Sequence, residues 1–171
     1  VRDTSNASKT DHLLQLNDSR YRGNVTLFEA DLFQPGSYDA AFNGAAAVIH
    51  AGATVGFNRE TPQEVYDGCF KENAHVIESV KKSGSVSRFV FTSSFAAVGH
   101  PRSEGYVFTE KDWCGDNVEA YKGRWSEEQI PLNRDIAYAM AKANTEKLIY
   151  EEAATDGSFE AMAILPLHVI G

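Results

Sequence analysis

The stretch SRFVFTSS, residues 87–94, combines aromatic and β-branched residues in a continuous apolar run that ends in two serines. Continuous rather than alternating apolar residues are typical of a strand covered on both faces of a sheet. Three other runs share this pattern: NVTLFEA (24–30), AAVIHA (46–51) and EAMAILPL (160–167). We therefore expect four short strands in the core of one sheet.

Helical patterns separate these runs. They are NASKTDHLLQLN (6–17), GSYDAAFNG (36–44), TPQEVYDGCFKENAHVIESVKKSG (61–84) and DIAYAMAKANTEKLIYEEAA (135–154). Pro62 after Thr61 suits a helix start, and Gly44 and Gly84 suit helix ends. Strands that alternate with helices predict parallel pairing through crossovers. The expected fold is α/β, a Rossmann-like doubly wound parallel sheet with flanking helices.

Composition narrows the function classes. A chain of 171 residues with a net charge of −8 suits a single domain and argues against a nucleic-acid groove. No apolar run approaches the roughly 18 residues of a membrane helix. Cys69 and Cys114 lack C-x-x-C spacing, and the five histidines form no ligand motif. We expect a cytoplasmic protein with reduced thiols and without a metal site.

Ligands of such sheets bind beyond the carboxyl ends of the strands. The residues that follow the four runs are therefore candidates: Asp31, then Ala51, Gly52 and Ala53, then Ser93 and Ser94, then Pro166, Leu167 and His168. The segment 100–134 is long and polar, and it contains Trp113, Tyr121 and Trp125. A lid or substrate wall and a surface insertion are equally compatible with it.

Tyr138 and Lys142 stand four residues apart on the last helical pattern, so both side chains rise from the same face among alanines. A phenol near pKa 10 exchanges protons poorly at neutral pH, and an adjacent cation lowers its pKa by stabilising the phenolate. The pair alone is weak evidence, since a half-buried tyrosine beside a solvated lysine is common. In the chain, this pair follows three predicted strands that end in Ala-Asp-Leu, His-Ala-Gly-Ala and Thr-Ser-Ser. That order of motifs strengthens the functional interpretation.

With these motifs the sequence resembles the extended short-chain dehydrogenase/reductases, and within them the dihydroflavonol reductase and cinnamoyl-CoA reductase group. The resemblance runs along essentially the whole chain. The motifs that carry it are VRDTSNASKTDHLLQL, EADLFQPGSYDAAFNGAAAVIHAGA, SRFVFTSSFAAV, FTEKDW, AYAMAKANTEK and ILPLHVIG.

The resemblance implies a catalytic triad. Tyr138 would protonate the carbonyl oxygen during reduction, Lys142 would supply the cation and bind the nicotinamide ribose, and Ser94 would hold the substrate oxygen. Ser93 and Thr92 are the less favoured hydroxyls, expected to satisfy backbone groups at a strand end. Asn73 matches an asparagine that supports the active-site helix in many relatives, with a surface helix position as the equal alternative.

The resemblance also implies a dinucleotide site. Asp31 would accept from the adenine amino group with Leu32 beside it, and Arg2 and Lys9 would receive the 2′-phosphate of NADP. The remaining expected cofactor contacts are Ala51, Gly52, Ala53, Tyr138, Lys142, Pro166, Leu167 and His168. Each of these assignments has a structural alternative: Asp31 would form a turn, Lys9 would be solvated, residues 51–53 would pack tightly after a strand and Leu167 would lie in the core. NADPH is the expected cofactor, with NAD less favoured because of Arg2.

Two features depart from the family pattern. The Gly-x-x-Gly-x-x-Gly turn that cradles a pyrophosphate is absent, and the chain ends before the family's substrate domain. Residues 1–171 are therefore expected to be a partial NAD(P)-binding domain that carries the catalytic residues and has little activity alone. Gly99 and His100 stand where dihydroflavonol reductases carry a substrate-sorting residue, which argues against a flavonoid substrate.

The expected activity is NADPH-dependent reduction of an aldehyde or ketone by hydride transfer, with a small carbonyl compound as partner. A sugar-nucleotide epimerase or dehydratase and a 3β-hydroxysteroid dehydrogenase share the same triad and are the enzymatic alternatives. A dinucleotide sensor without catalysis is the alternative of another class, although sensors of this kind usually lose the tyrosine or the lysine, and both are present here.

Overall fold

The computed structural model describes residues 1–18, 20, 22–53, 61–99, 102–114 and 134–169. Its helices and strands, in chain order, are α1 (Ala7–Leu14), α2 (Asp39–Phe42), β1 (Ala47–His50), α3 (Pro62–Ser83), β2 (Arg88–Thr92), α4 (Arg134–Asp156) and β3 (Glu160–Ile164). A short 3-10 helix, Phe95–Ala97, follows β2. All four helical patterns and three of the four predicted strands are confirmed.

The three strands form one parallel sheet in the order β1-β2-β3. Ala47 is in register with Arg88, and Phe89 is in register with Ala161. Helix α3 connects β1 to β2, and α4 lies between β2 and β3 in the chain. Since the strands are parallel, their carboxyl ends meet at one edge of the sheet, as the sequence predicted.

The predicted strand at 24–30 is the exception. This segment is not a strand: the Val1 amino group donates to the Phe28 carbonyl at 3.0 Å, the Ala30 N–H donates to the Val1 carbonyl at 2.9 Å, and the Asn17 side-chain amide bonds the Val25 backbone. A strand needs a neighbouring ladder, and one pairing residue does not make one. The β-favouring composition is therefore present without the partner that would turn it into a strand.

Helix α3 is defined by its ends. The Thr61 hydroxyl accepts from the Glu64 N–H, and the Glu64 carboxylate accepts from the Thr61 N–H, which is a complete capping box with Pro62 at the first turn. Gly84 ends the helix with φ of 61°, a left-handed conformation that costs glycine little. These local signals explain why the boundaries predicted from sequence are accurate here.

One face of the sheet is buried against helices α3 and α4. The main apolar cluster joins Val48, Phe89 and Phe91 of the strands to residues of α3 and α4, including Val76, Val80 and Ile149. The side chains on the opposite face are exposed: Ile49 is 76% exposed, and Met162 and Ile164 are each 52% exposed. The parallel sheet with flanking helices confirms the predicted fold class, and among the described residues its second face carries exposed apolar side chains.

Cys69 and Cys114 are buried and form no disulfide. Among the described residues, no helix combines the length and the hydrophobicity that a bilayer crossing requires.

Candidate active site at the carboxyl edge of the sheet

The segments after β2 and β3 are tied together beyond the strand ends. The Ser93 N–H donates to the Ile164 carbonyl at 2.8 Å, and the Phe95 N–H donates to the Pro166 carbonyl at 3.0 Å. These bonds continue the parallel pairing past the sheet and fix the backbone around Ser94. The polar residues that follow two separate strands are thus brought to one place, as the sequence predicted.

Helix α4 reaches this edge on a run of small residues. Ala137, Ala139, Ala141 and Ala143 are all buried, and on the neighbouring helix α3 Gly68 and Cys69 are also buried. Small side chains allow two helices to approach closely and leave space between the larger residues on the same face. The alanines that surround Tyr138 and Lys142 therefore serve helix packing as well as access to the site.

Lys142 is buried, with 1% of its surface exposed. Its ammonium donates to the Thr92 carbonyl at 3.0 Å and lies 4.8 Å from the centre of the Phe91 ring. Burial lowers the pKa of Lys142, while nearby Cys69 and Glu146 act in the opposite direction. The solvated lysine that sequence reasoning held open is excluded by this position.

Tyr138 is half-buried, and the Lys142 ammonium lies 5.9 Å from the centre of its ring. Burial raises the pKa of Tyr138, and the nearby Ser94 side chain opposes that rise. The net shift of this pKa is therefore upward, and the expected net lowering is wrong. The ammonium is directed to the Thr92 carbonyl, so the desolvation of the phenol is the larger effect.

Ser94 begins the 3-10 helix that follows β2. Its hydroxyl oxygen accepts from the Ala96 N–H at 3.2 Å, so this serine, rather than Ser93, satisfies a backbone group at the strand end. Gly99 lies against Phe95, the residue that follows Ser94. A Cβ added at Gly99 would be 2.7 Å from Cε1 of Phe95 and 3.0 Å from the Phe95 carbonyl oxygen. The close approach of Gly99 and Phe95 helps to hold the turn that carries Ser94.

A second polar group lies on the α3 side of Lys142. His50 is buried between the rings of Phe89 and Phe91, and its Nε2 is 2.7 Å from Oδ1 of Asn73. Asn73 is also buried, and its amide donates to the Cys69 carbonyl. The surface alternative for Asn73 is therefore excluded, and His50 is a core histidine that orients it. Burial is the main factor that lowers the pKa of His50.

Three buried polar side chains lie next to the predicted triad, and sequence reasoning missed two of them, Thr145 and Glu146, and gave Ser93 a different role. Ser93, Thr145 and Glu146 each bury a side-chain oxygen, and these oxygens make no hydrogen bond of normal geometry in the structure. The spacing could have identified Glu146, which follows Lys142 by four residues and therefore shares its helix face. A lysine and a glutamate at this spacing are ordinarily interpreted as a solvated pair, which is why the signal was overlooked.

The predicted cofactor contacts at the strand ends are accessible. Ala51 and Gly52 are exposed after β1, and Leu167 and His168 are exposed after β3, so the suggested core role of Leu167 is wrong. Gly52 lies close to the side chains of His50 and Leu32, since a Cβ added at this glycine would be 3.4 Å from each of them. Ala53 and Pro166 are partly buried at the same edge.

Asp31 and Leu32 form the turn after the extended segment. The Asp31 carboxylate accepts from the Phe33 N–H at 2.9 Å, and the Ser37 hydroxyl donates to the Asp31 carbonyl at 2.7 Å. The Leu32 side chain contacts the main apolar cluster, and its carbonyl is 3.0 Å from Nδ1 of His75. The turn-forming role of Asp31 is therefore present, and its other carboxylate oxygen remains available to a ligand.

Arg2 and Lys9 are exposed near the amino terminus. Lys9 lies close enough to Asp3 to contribute to the lowered pKa of that carboxyl, after the larger effect of the Ser5 hydrogen bonds. Both cations are exposed, so a phosphate group of a ligand could reach them. The structure brings together Ser94, Tyr138 and Lys142 at one edge, while Arg2 and Lys9 lie on a separate element, α1 and the residues before it.

The residues fit a dinucleotide in part. Small, exposed side chains follow β1, and the exposed residues after β3 border the same edge, so a flat group can approach the backbone there. The unmatched feature is the glycine-rich turn, which the sequence lacks. The fit thus covers the nicotinamide and adenine contacts predicted from sequence, but not the pyrophosphate cradle.

The structure describes part of the segment 100–134, for which a lid and a surface insertion are the two predictions. Residues 102–114 centre on Asp112, which accepts from the hydroxyl of Tyr106 and from the N–H of Thr109 at 2.8 Å, and these bonds lower its pKa to about 2. His100 and residues 115–133, with Tyr121 and Trp125, lie outside the described residues. The choice between lid and insertion therefore stays a prediction.

Comparison with known proteins decides the family. The sequence matches the NAD dependent epimerase/dehydratase family over residues 2–171. The chain belongs to this family. A dihydroflavonol 4-reductase of Arabidopsis thaliana is 30% identical and aligns with all of this chain and 42% of its own length. The cinnamoyl-CoA reductase CAD2 of Medicago truncatula is 33% identical over 84% of this chain and 45% of its own length.

Solved structures with the same fold include several reductases. The NADPH complex of Gre2 from Candida albicans has a TM-score of 0.77 at 23% identity, and it aligns with all of this chain and 50% of its own. This likeness confirms the Rossmann-type fold. The chain spans less than half the length of the curated relatives given above, so the activity of the whole protein is a matter for proposal.

Proposed function

We propose that the protein is an NADPH-dependent oxidoreductase that reduces an aldehyde or ketone, with Ser94, Tyr138 and Lys142 as its catalytic residues. The observation that supports this most is the position of Tyr138. Its phenol is half-buried at the ligand-binding edge of the sheet, the Ser94 side chain is near enough to act on its pKa, and the buried ammonium of Lys142 lies 5.9 Å from the centre of its ring.

In this proposal Tyr138 donates a proton to the carbonyl oxygen. A donor must be protonated before the reaction, and the raised pKa of the buried phenol keeps it so at neutral pH. Donation leaves a phenolate, which the Lys142 ammonium and the Ser94 hydroxyl stabilise in a site of low dielectric. Solvent then returns a proton to the phenolate, and the product is the alcohol.

Ser94 holds the substrate oxygen. Its own oxygen accepts from the Ala96 N–H, which leaves the hydroxyl hydrogen for an acceptor in the site. The Tyr138 phenol is a nearby group, since the Ser94 side chain acts to lower its pKa. A carbonyl compound bound between the two side chains would take the Ser94 hydrogen bond and accept the Tyr138 proton.

A bound NADPH would supply the hydride. We assign the cofactor contacts to the residues predicted from sequence: Arg2 and Lys9 for the 2′-phosphate, Asp31 and Leu32 for the adenine end, Ala51, Gly52 and Ala53 along the dinucleotide, and Lys142, Pro166, Leu167 and His168 near the nicotinamide. Arg2 is the reason for preferring NADPH to NADH, because a guanidinium matches a phosphate with a planar pair of donors.

The relatives support the reaction class. The proteins named dihydroflavonol 4-reductase, cinnamoyl-CoA reductase and anthocyanidin reductase are all similar to this chain at about 30% identity. Their names differ in substrate and agree on reduction. We therefore propose a small organic carbonyl compound as the substrate class and assign no flavonoid or thioester.

The test compares two phenol deletions on helix α4 in the full-length protein. Tyr138→Phe removes the proposed proton donor, and Tyr150→Phe removes an exposed phenol about 18 Å further along the same helix. NADPH oxidation with a panel of aldehydes and ketones is followed for both. The proposal predicts a loss of about 10²-fold or more for Tyr138→Phe and near-normal turnover for Tyr150→Phe.

A Tyr138→Phe enzyme that reduces carbonyl compounds at the normal rate would rule out the proposed role of the phenol. A wild-type protein that binds NADPH without oxidising it in the presence of any tested carbonyl would support the sensor alternative. Net conversion of a sugar nucleotide without net cofactor oxidation would support the epimerase alternative.

A further inference from the structure

Helix α4 buries a second ionisable side chain one turn after Lys142. Glu146 is 5% exposed, and Lys142 is 1% exposed. Their spacing of four residues places both on the helix face that meets the sheet. Carboxylates and ammonium groups are rarely buried to this extent unless a partner compensates the lost hydration. Hydration therefore does not stabilise these two charges, and other groups of the protein must do so.

The described partners of Lys142 are neutral. The ammonium donates to the Thr92 carbonyl and lies against the Phe91 ring, and these contacts replace part of its hydration. Neither partner carries the negative charge that a buried cation needs in a medium of low dielectric. Glu146 is the buried carboxylate on the same helix face, and after Cys69 it is the second group that raises the pKa of Lys142 against the larger effect of burial.

The groups that face this pair come from four elements, including β1, whose His50 has a pKa that is lowered mainly by burial and further by the charge of Lys142. On α4 they are Thr145, which is fully buried, and Tyr150, whose pKa is affected by Glu146 after the larger effect of burial. From the end of β2, Ser93 faces Glu146, and from α3, Cys69 lies near Lys142. Among the described residues, Lys142 is the cation that acts on the Glu146 pKa, so the response of Glu146 to a nearby positive charge is a response to Lys142.

The carboxyl group is not fully bonded. The Ser93 hydroxyl acts to lower the pKa of Glu146, yet Oε2 of Glu146 and Oγ of Ser93 complete no hydrogen bond of normal geometry. Burial raises the pKa of Glu146, and the Ser93 and Lys142 groups oppose that rise. A carboxylate that lacks local donors depends on the charge of the ammonium for its stability, and the dependence is mutual.

We propose that Glu146 is a positioning residue that keeps the Lys142 ammonium charged and held at the end of β2. The inference rests on the proposed function, because it explains how a buried lysine remains a cation beside the phenolate that forms on Tyr138. Glu146 does not touch substrate or cofactor in this account. It acts only through Lys142.

The test measures the charge of Lys142 directly. Full-length protein carrying ¹³C at the lysine ε-carbons is titrated by NMR without cofactor, and the Lys142 signal is identified by its absence in Lys142→Met. In Glu146→Gln, which keeps the shape and removes the charge, the pKa of Lys142 falls by about one unit. Thr145→Val changes the adjacent buried side chain without changing charge and leaves that pKa in place.

The second readout is the pH dependence of NADPH oxidation. Since Lys142 must be charged for catalysis, its deprotonation limits activity on the alkaline side. The alkaline limb of kcat/KM moves to lower pH in Glu146→Gln by the same shift that NMR measures, and Thr145→Val keeps the wild-type limb. A purely structural role of Glu146 would lower activity at all pH values and leave the limb unmoved.

A reciprocal measurement covers the case in which Glu146→Gln does not fold. In Lys142→Met the ¹³C signal of the Glu146 carboxyl titrates at higher pH than in the wild-type protein, because the cation that favoured the carboxylate is gone. An unchanged Lys142 pKa in Glu146→Gln, or an unchanged Glu146 pKa in Lys142→Met, overturns the inference. A coupled pair in a protein without reductase activity overturns the proposed function and leaves the coupling established.

Discussion

The ammonium of Lys142 lies 3.0 Å from the carbonyl oxygen of Thr92, so helix α4 is joined to the end of β2 at the point where the catalytic hydroxyls are predicted. This contact fixes the lysine beneath the turn that carries Ser94. It also explains why the cation lies near the Tyr138 ring without bonding to the phenol: the donor is already directed to the backbone.

Replacing Lys142 by Met separates the structural and the chemical contributions of this lysine. Methionine fills a similar volume but leaves the buried Glu146 without its cation, so we expect this carboxyl to take up a proton and the free energy of unfolding to fall by about 1–3 kcal/mol. Carbonyl reduction falls by about 10²-fold or more because no cation stabilises the phenolate. Chemical denaturation and NADPH oxidation are the measurements. Lys71→Met, at an exposed position on α3, is the control. If the fraction of unfolded Lys142→Met protein accounted for its whole loss of activity, this account would be contradicted.

Gly99→Ala tests the turn that supports Ser94. The added methyl would lie 2.7 Å from Cε1 of Phe95 and 3.0 Å from its carbonyl oxygen, so the ring and the turn must move. We expect a loss of about 1–3 kcal/mol in stability and a lower kcat. Gly23→Ala is the matched control, because a Cβ there meets nothing within 4 Å. If both variants melt at the wild-type temperature, the close approach of Gly99 to Phe95 is not important for the fold.

His50 predicts a pH dependence of stability. Burial lowers its pKa in the folded state, so the unfolded chain binds the proton more readily. Stability from the neutral ring is present above pH 6.5 and is lost as the pH falls through the folded-state pKa, with a slope of at most about 1.4 kcal/mol per pH unit. His50→Gln can still donate to Asn73 and does not titrate, so its melting temperature declines less between pH 7 and pH 5.

Thermal melts across this pH range check the histidine prediction. His12→Gln, at an exposed position on α1, controls for the loss of a histidine. A decline in His50→Gln as steep as that of the wild-type protein would assign the acid sensitivity to other groups.

Arg2→Ala tests the proposed phosphate contact. The variant removes a guanidinium from the 2′-phosphate, so KM for NADPH rises about 10-fold while KM for NADH changes little. Steady-state kinetics with both cofactors give the ratio. Arg20→Ala removes another exposed arginine from the same amino-terminal part of the chain. A wild-type enzyme that strongly prefers NADH would remove the role assigned to Arg2.

Local sequence signals predicted much of the fold. The capping box at Thr61 and the left-handed Gly84 define α3 without any tertiary information, and the apolar runs around Val48, Phe89 and Ala161 locate three strands. The run at 24–30 has the same composition, but strand formation depends on a pairing partner that composition does not reveal. Boundaries set by local contacts were therefore predictable, and the number of strands was not.

The site was predicted less completely than the fold. The motif identified Ser94, Tyr138 and Lys142, and the structure brings them to one edge of the sheet. Their electrostatics were not predictable, because charged helix residues are ordinarily exposed and burial depends on neighbouring elements. Lys142 and Glu146 are buried only because α4 lies against the sheet with alanines around them. The direction of the Tyr138 pKa shift follows from that burial and not from the spacing of the motif.

The most direct test of the central claim is a single-turnover reaction of the full-length protein with NADPH deuterated at the transferable position of the nicotinamide. With a carbonyl substrate, the account predicts deuterium on the carbinol carbon of the alcohol and a reaction at least about 10²-fold slower in Tyr138→Phe. Equal rates in the two proteins, or an alcohol that carries no deuterium, would contradict it.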